Sequence, residues 1–182
     1  MLDAAEQLWG REGLQVSVNR IVSAAGQRNP SAVRLHFGGR DGLLDAVLGR
    51  GAATIDAAHR DLALSGGHRG TGRLADDLVA PFCHEAGSAY LSLLAQHLAR
   101  PDTEPGAFGE LFPTAAMTIA ALVDRQELPD GPRQARIEMV AHLVVHATAQ
   151  AEPPAPRPIA DAVVALAAGR PEVTPDAERS VW

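Results

Sequence analysis

The chain has no lysine, one cysteine and few aromatic residues. All 16 of its Lys/Arg positions are arginine, and aromatic residues make up only 4% of the sequence. A single cysteine, Cys83, excludes an internal disulfide and fits a reducing cytoplasm. The hydrophobic fraction is nevertheless 46%, which is enough for a core in one or two small domains. With so few aromatics, we expect that core to consist mainly of Ala, Leu and Val.

The sequence also lacks the signals of membrane proteins and of common enzyme classes. No apolar run reaches the ~18 residues that a membrane-spanning helix needs, and no signal peptide is visible at the N-terminus. There is no Gly-rich phosphate loop and no GxSxG elbow. We therefore expect a cytoplasmic protein with no membrane partner, no cofactor and no catalytic site.

Charge is unevenly distributed in the chain, whose net charge is −6. Residues 13–40 contain no acidic residue, yet they include His36, Arg20, Arg28, Arg34 and Arg40. Residues 1–50 hold six arginines and five acidic residues, a net charge of +1, which leaves −7 for the rest of the chain. An acid-free basic segment in an acidic protein indicates a polyanionic partner such as DNA.

Within this segment the pattern predicts two short helices joined by a tight turn. Ser17 is a good N-cap for the first helix, and Gly26 lies where that helix should end. Asn29 followed by Pro30 predicts the N-cap and first turn of a second helix. This second helix would run to about Phe37, bury Val33 and Phe37, and expose Ser31, Arg34 and Leu35, with Arg28 and Asn29 at its tip. Such a helix can enter the major groove of DNA, whereas the alternative is a plain helical hairpin with solvated arginines.

The flanking sequence favours the DNA-binding interpretation. Before the two helices stands MLDAAEQLWGREG, and after them stands HFGGRDGLLDAVL. Residues 1 to about 50 resemble the tetracycline-repressor (TetR) family of bacterial transcription regulators, which typically have ILDAALELFAERG, VRDIAEAAGVS and YHFGSKEALL in this order. The resemblance implies an N-terminal three-helix unit with a helix–turn–helix, which binds operator DNA.

The resemblance also implies roles for individual residues. Ser17 and His36 match positions that usually contact phosphates, and Arg40 matches the usual lysine at the start of the next helix. Ser31, Ala32 and Arg34 match positions that face the bases. The DNA-binding set predicted from both arguments is Ser17, Arg28, Asn29, Ser31, Ala32, Arg34, Leu35, His36 and Arg40.

Several positions depart from the family pattern. Leu35 replaces a common tyrosine, which removes a hydroxyl that would contact phosphate. Gly39 replaces the usual serine cap, and Gly42 is expected to weaken the first turn of the next helix. The chain also begins almost directly on the first helix, where family members usually carry a short arm. A shortened N-terminus of this kind would weaken DNA binding without changing the fold.

The remaining sequence predicts further helices and no strand, so we expect an all-α fold of two parts. Helices are predicted at about 2–12, 40–62, 73–85, 88–99, 107–127, 132–150 and 158–168. Residues 1–48 would form the DNA-binding domain and residues 49–170 a helical regulatory domain. Residues 171–182 would be a disordered tail.

Three stretches of the regulatory domain contain no charged residue. They are residues 86–99, 111–123 and 139–151, and a helix without a charged face is buried on most sides. A deep core, a ligand cavity or a subunit interface would each satisfy this pattern. The TetR resemblance implies a central pocket together with a homodimer, in which helices 132–150 and 158–168 pack against their symmetry mates as a four-helix bundle.

Polar and aromatic residues on these helices are candidates for the pocket. We predict that it binds an apolar or weakly polar small molecule between Phe82, Tyr90, His97, Phe112, Met117 and His142. Ordinary core packing is the alternative for the same residues. His142 and His146 have a spacing that can chelate a metal, but HLVVH lacks the glutamate of zinc proteases, so we expect no metal site.

Together these observations predict a ligand-responsive transcriptional regulator, with repressor as the family default. It would bind a palindromic operator as a dimer. A ligand in the regulatory domain would shift the helix at 40–62 and so change the separation of the two recognition helices. The alternatives are a helical small-molecule-binding or interaction protein that has lost DNA binding through a shortened N-terminus, and a metal sensor that uses the histidines.

Overall fold

The computed structural model describes residues 1–65, 70–126, 133–150 and 156–168. These ranges form ten α-helices and no strand, which confirms the all-α fold. The helices are α1 (Leu2–Glu12), α2 (Val18–Ala24), α3 (Ser31–Phe37), α4 (Arg40–Leu64), α5 (Thr71–His84), α6 (Ala89–Leu98), α7 (Ala107–Leu111), α8 (Pro113–Asp124), α9 (Arg133–Ala149) and α10 (Pro156–Ala167). The predicted tail, 171–182, lies outside the described residues. None of the described helices is long and apolar enough to cross a membrane.

The first four helices enclose a small core around Trp9. This side chain is fully buried, and its indole N–H donates to the carbonyl of Val16 at 3.1 Å. Ile21 of α2, Val33 of α3 and Leu43 of α4 are buried in the same core. Trp9 is therefore a core residue of this unit and is not available to stack on a base.

The α1 helix lies directly against the start of α6. A Cβ atom added to Gly10 would stand 2.1 Å from the carbonyl oxygen of Ala89, so only glycine allows this approach. The amide of Gln96 joins the same two helices, because its nitrogen donates to the carbonyls of Trp9 and Gly10 at 3.2 and 3.3 Å. Its oxygen accepts from the backbone N–H of Leu14 at 3.2 Å. The N-terminal unit is thus fixed to the rest of the protein by backbone contacts.

The α4 helix links the N-terminal unit to the body of the protein. Tyr90 on α6 donates its hydroxyl to the carbonyl of Leu48 at 3.0 Å. Further along α4, the ring nitrogens of the buried His59 lie 3.0 Å from the carbonyl of Ile55 and 2.9 Å from that of Leu78 on α5. Ile55 belongs to α4 itself, whereas the Tyr90–Leu48 and His59–Leu78 contacts hold α4 to α6 and α5 through backbone carbonyls, with little freedom.

The predicted helix at 107–127 is wrong in one respect, because two helices occupy this region. The α7 helix ends at Leu111 and α8 begins at Pro113, with Phe112 between them at φ −130° and ψ 67°. Proline has no N–H for the preceding turn and disfavours helical geometry in the residue before it. Phe112 consequently turns into the core, where its ring lies 5.3 Å from Phe82 and 5.0 Å from Phe108.

The first turn of α8 is capped by a residue of α4. The carboxylate of Asp56 is buried and accepts from the backbone N–H of Thr114 at 2.9 Å and from its hydroxyl at 3.0 Å. Arg60 donates to the same carboxylate at 2.6 Å. Exposed donors at a helix start need an acceptor, and here a distant helix supplies it.

Buried histidines should make the protein less stable as the pH falls. Burial lowers the pKa of His59, against the opposing effect of the Leu78 and Ile55 carbonyls. The unfolded chain, with an ordinary histidine pKa of about 6.5, then binds more protons than the folded chain below that pH. We expect the melting temperature to fall from pH 7 to pH 5, and His59→Gln to reduce this fall. The exposed His84→Gln is the control, and an equal effect of both variants would contradict the assignment.

Candidate nucleic-acid interface

The helix–turn–helix is built by local capping contacts. Ser17 accepts from the backbone N–H of Arg20 at 3.4 Å at the start of α2, as predicted. Gly26 has a positive φ of 67° just after α2. At the start of α3 the side-chain oxygen of Asn29 accepts from the N–H of Ser31 at 3.0 Å. Pro30 has helical angles but makes no helical N–H bond, so the regular helix begins at Ser31.

The two faces of α3 differ sharply in exposure. Val33 is only 2% exposed and packs into the core around Trp9. Leu35, on the other side, is 80% exposed. Seven of the nine residues that were predicted to bind DNA are exposed, namely Ser17, Arg28, Asn29, Ser31, Arg34, Leu35 and His36. Ala32 is half-buried on the same helix. These eight residues thus occupy the start of α2, the turn that follows α2, and α3.

The arginines of this surface differ in their partners. Arg20 is paired with Glu12 at 2.6 Å. Arg28 and Arg34 form no ion pair within the part of the chain that the structure describes. Because residues 13–40 contain no acidic side chain, these two guanidinium groups contribute uncompensated positive charge at the exposed side of α3.

Arg40 occupies a different position from the one that was predicted for a phosphate contact. Its guanidinium group donates to the carbonyl of Leu14 and lies over the ring of Trp9, 5.2 Å from the ring centroid. The side chain is half-buried. A long arginine side chain can reach inward as well as outward, and here an unpaired carbonyl and an aromatic face lie within its reach. Arg40 therefore stabilises the N-terminal unit from inside.

Two glycines explain the departures from the family pattern at the start of α4. Gly39 precedes the helix with φ 137° and ψ −159°, a conformation that a serine cap would not adopt readily. A Cβ atom at position 42 would lie 1.8 Å from the carbonyl oxygen of Phe37. The glycine at position 42 thus allows α4 to start directly against the end of α3, which offsets its low helix propensity.

The six residues that were predicted to line a pocket do not surround one cavity. Phe82 and Phe112 are fully buried in the aromatic cluster, and Tyr90 is buried with its hydroxyl bonded to Leu48. Met117 is 73% exposed on α8. His97 lines a shallow acidic cleft beside α4 and α7. Helical periodicity indicates the buried face of each helix but not which faces meet, so this set mixed core, surface and cleft residues.

A cavity of about 320 Å³ lies elsewhere. It is enclosed by the end of α6, by the segment before α7 together with α7 itself, and by the helices α8 and α9. Of the predicted residues only His142 lines it. Its described lining is Leu98, Thr103, Glu104, Pro105, Gly106, Ala107, Phe108, Gly109, Ala116, Gln134, Ile137, Glu138, Ala141 and His142. Glu138 was not among the predicted pocket residues, although its position four residues before His142 places both side chains on one face of α9.

The outer side of α9 forms a second, shallow surface. It is lined by Ala135, Glu138, Met139, His142, Leu143, His146 and Leu166 of α10. Met139 is 52% exposed there. The rings of His142 and His146 stack with centroids 5.7 Å apart. No group of three or more possible metal-ligating side chains occurs among the residues that the structure describes.

The inward position of Arg40 gives a testable difference between two arginines. Arg40→Ala should lower the free energy of unfolding by about 1.5–3 kcal/mol, because a charge-assisted hydrogen bond to the partly buried carbonyl of Leu14 is lost. Arg34→Ala should change it by less than about 0.5 kcal/mol, as for an exposed side chain without partners. Urea unfolding followed by circular dichroism measures both. Equal values would show that Arg40 is not held as described.

No protein-family model matches this chain, and no curated protein matches it. The features of the molecule that bear on its function are the exposed arginine-bearing face of α3, the outer side of α9 and the cavity behind it.

Proposed function

We propose that this chain is a DNA-binding transcriptional regulator of the tetracycline-repressor type, which acts in the cytoplasm as a ligand-responsive repressor. One observation carries the proposal. The α3 helix buries Val33 and exposes Leu35 and Arg34, on a surface where neither Arg28 nor Arg34 is paired with a described acidic residue. A surface of this kind would repel other cations and is suited to a nucleic-acid backbone.

The proposed docking places α3 in the major groove of the operator. Arg34, with Ser31 and Ala32, would face base edges, and a guanidinium group can bind guanine through two hydrogen bonds. His36 of α3, Arg28 in the turn before it and Ser17 at the start of α2 would contact phosphates, which fix the register of the protein on the duplex. Leu35 supplies an apolar contact of the kind that a thymine methyl group accepts.

The proposal includes a homodimer through α9 and α10. The support is the outer side of α9, where Met139, Leu143 and Leu166 form the apolar part of one shallow surface that also includes Glu138, His142 and His146. Val163 of α10 is fully buried within the protomer, so the interface would use the outer residues of these helices and leave their inner residues in the core. A two-fold dimer would present its α3 helices to two half-sites about one helical turn, ~34 Å, apart.

The α4 helix would connect ligand binding to DNA binding. It contains Leu43 of the N-terminal core and also Asp56, which caps α8 beside the cavity. A ligand that prefers one placement of α8 would change the population of α4 positions, and with it the separation of the two α3 helices.

A second candidate function is a helical small-molecule-binding protein without DNA binding. The inward position of Arg40 favours it, because one predicted phosphate contact is used inside the protein. Leu35 stands in place of a tyrosine whose hydroxyl would contact phosphate, so a second phosphate contact is absent. The cavity beside α9 would serve this function equally well.

Removal of individual arginines should separate base reading from phosphate binding. Arg34→Ala should cost about 1–3 kcal/mol on the preferred duplex and relax the sequence preference at one base pair. Arg28→Ala should weaken binding to all sequences alike and reduce the slope of log affinity against log salt concentration by about one unit.

The measurement is fluorescence anisotropy with duplexes from the DNA upstream of the gene, over a range of salt concentrations. Arg157→Ala, which removes an exposed body arginine that is paired with Asp76 at 3.4 Å and with Asp161 at 3.3 Å, is the control. If no duplex binds in a salt-dependent manner, the second candidate function is the better one.

Two methionines provide a matched test of the dimer. Met139→Glu should give a monomer with unchanged helical content, because a charge would stand in a desolvated interface while the protomer core stays intact. Met117→Glu, at the 73% exposed position on α8, should leave the dimer unchanged. Light scattering at micromolar concentration reports the mass of each. A monomeric unmodified protein, or equal dissociation by both variants, would contradict an interface on α9 and α10.

A further inference from the structure

The cavity beside α9 has an unusual charge pattern. Its described lining contains two carboxylates, Glu104 and Glu138, and no arginine. Glu138 is positioned by Gln134, whose amide nitrogen donates to the Glu138 carboxylate at 3.1 Å. The body outside residues 1–50 carries a net charge of −7, which adds to the negative potential at this site.

The rest of the lining is mostly apolar. Ala141 and Phe108 are 1% and 6% exposed and form the inner wall, together with Leu98, Ala107, Ala116 and Ile137. The face of an aromatic ring such as that of Phe108 attracts cations as well as apolar groups. A pocket with apolar walls and a few polar groups is the usual form of a small-molecule site.

His142 does not neutralise these carboxylates at neutral pH. Burial lowers its pKa, and the neighbouring His146 lowers it further, although Glu138 acts in the opposite direction. The imidazole is therefore uncharged at pH 7 and can accept or donate a hydrogen bond. The cavity thus combines apolar walls, a neutral imidazole and two carboxylates without a described cation to pair with them.

We propose that this cavity binds a small organic cation with an apolar body, such as a protonated or quaternary amine. A volume of about 320 Å³ equals that of about ten water molecules in the liquid, which sets the size of the ligand. The ammonium group would lie near Glu138 and Glu104, and the apolar body against Phe108 and Ile137. The inference deepens the proposed regulator, and rests on it only for the consequence that the bound cation alters DNA affinity.

Three probes of similar shape test the charge preference directly. We would titrate the full chain with 4-phenylbutylamine, 4-phenylbutan-1-ol and 4-phenylbutyrate by isothermal calorimetry, without DNA. We expect the amine to bind about tenfold more tightly than the alcohol, and the carboxylate to bind most weakly. If the alcohol binds as tightly as the amine, or if none of the probes binds, the inference is wrong.

Matched variants locate the site. Glu138→Gln should lower the affinity for the amine to that for the alcohol and leave the affinity for the alcohol unchanged. Glu110→Gln removes the same charge from a residue that lines the neighbouring acidic cleft but not this cavity, and it should leave all affinities unchanged. Ala116→Met should fill the cavity and abolish binding of the amine and the alcohol. Equal losses in the two Gln variants would show that the preference is only a general attraction, which overturns the proposal.

The same protein samples separate this inference from the proposed function. Circular dichroism checks that each variant is folded, and DNA binding is measured on the unmodified chain. If the protein binds DNA but does not prefer the amine, the inference about the ligand class is wrong and the proposed DNA binding stands. Amine binding without DNA binding supports the cavity and contradicts the regulator.

Discussion

The buried carboxylate of Asp56 is the interaction on which the arrangement of the body depends. Pro113 ends the helical path after α7, and the chain restarts as α8 with donors that need an acceptor. Asp56 accepts from both the N–H and the hydroxyl of Thr114, while Arg60 offsets its charge. Because the acceptor belongs to α4, the direction of α8 is fixed relative to α4. The positions of the aromatic cluster around Phe112 and of the cavity wall depend on the direction of α8.

Local capping signals predicted much of the N-terminal unit, whereas long-range contacts could not be predicted. Ser17 caps α2, and Asn29 accepts from the N–H of Ser31 just before α3, where Pro30 and not Asn29 is the N-cap; such contacts depend only on residues two or three positions away. The inward turn of Arg40 depends on the Leu14 carbonyl, 26 positions distant along the chain. The cavity beside α9 likewise forms where four segments meet, and no periodicity in one helix specifies that meeting. Pro113 was a visible signal for the break after α7, but the acceptor for the N–H of Thr114, which is Asp56 at 58 positions away, was not.

The α9 helix serves two surfaces at once. Glu138 and His142 line both the cavity and the shallow outer surface that we assign to the dimer. The inner positions Val140 and Val144 are buried in the core of the protomer. A ligand that moved these side chains would therefore alter the proposed subunit contact as well, so ligand binding and association would be linked in both directions.

The contact between α1 and α6 has a mechanical consequence. Side chains usually separate packed helices, and their rotamers allow the helices to slide a little without cost. At Gly10 the backbone of one helix touches the carbonyl of Ala89 directly, with no side chain between them to absorb movement. The contact is consequently stiff. A displacement of α6 must either break the hydrogen bonds of Gln96 or carry α1 along, and because α1 packs on α2 and α4, the whole N-terminal unit would rotate with it.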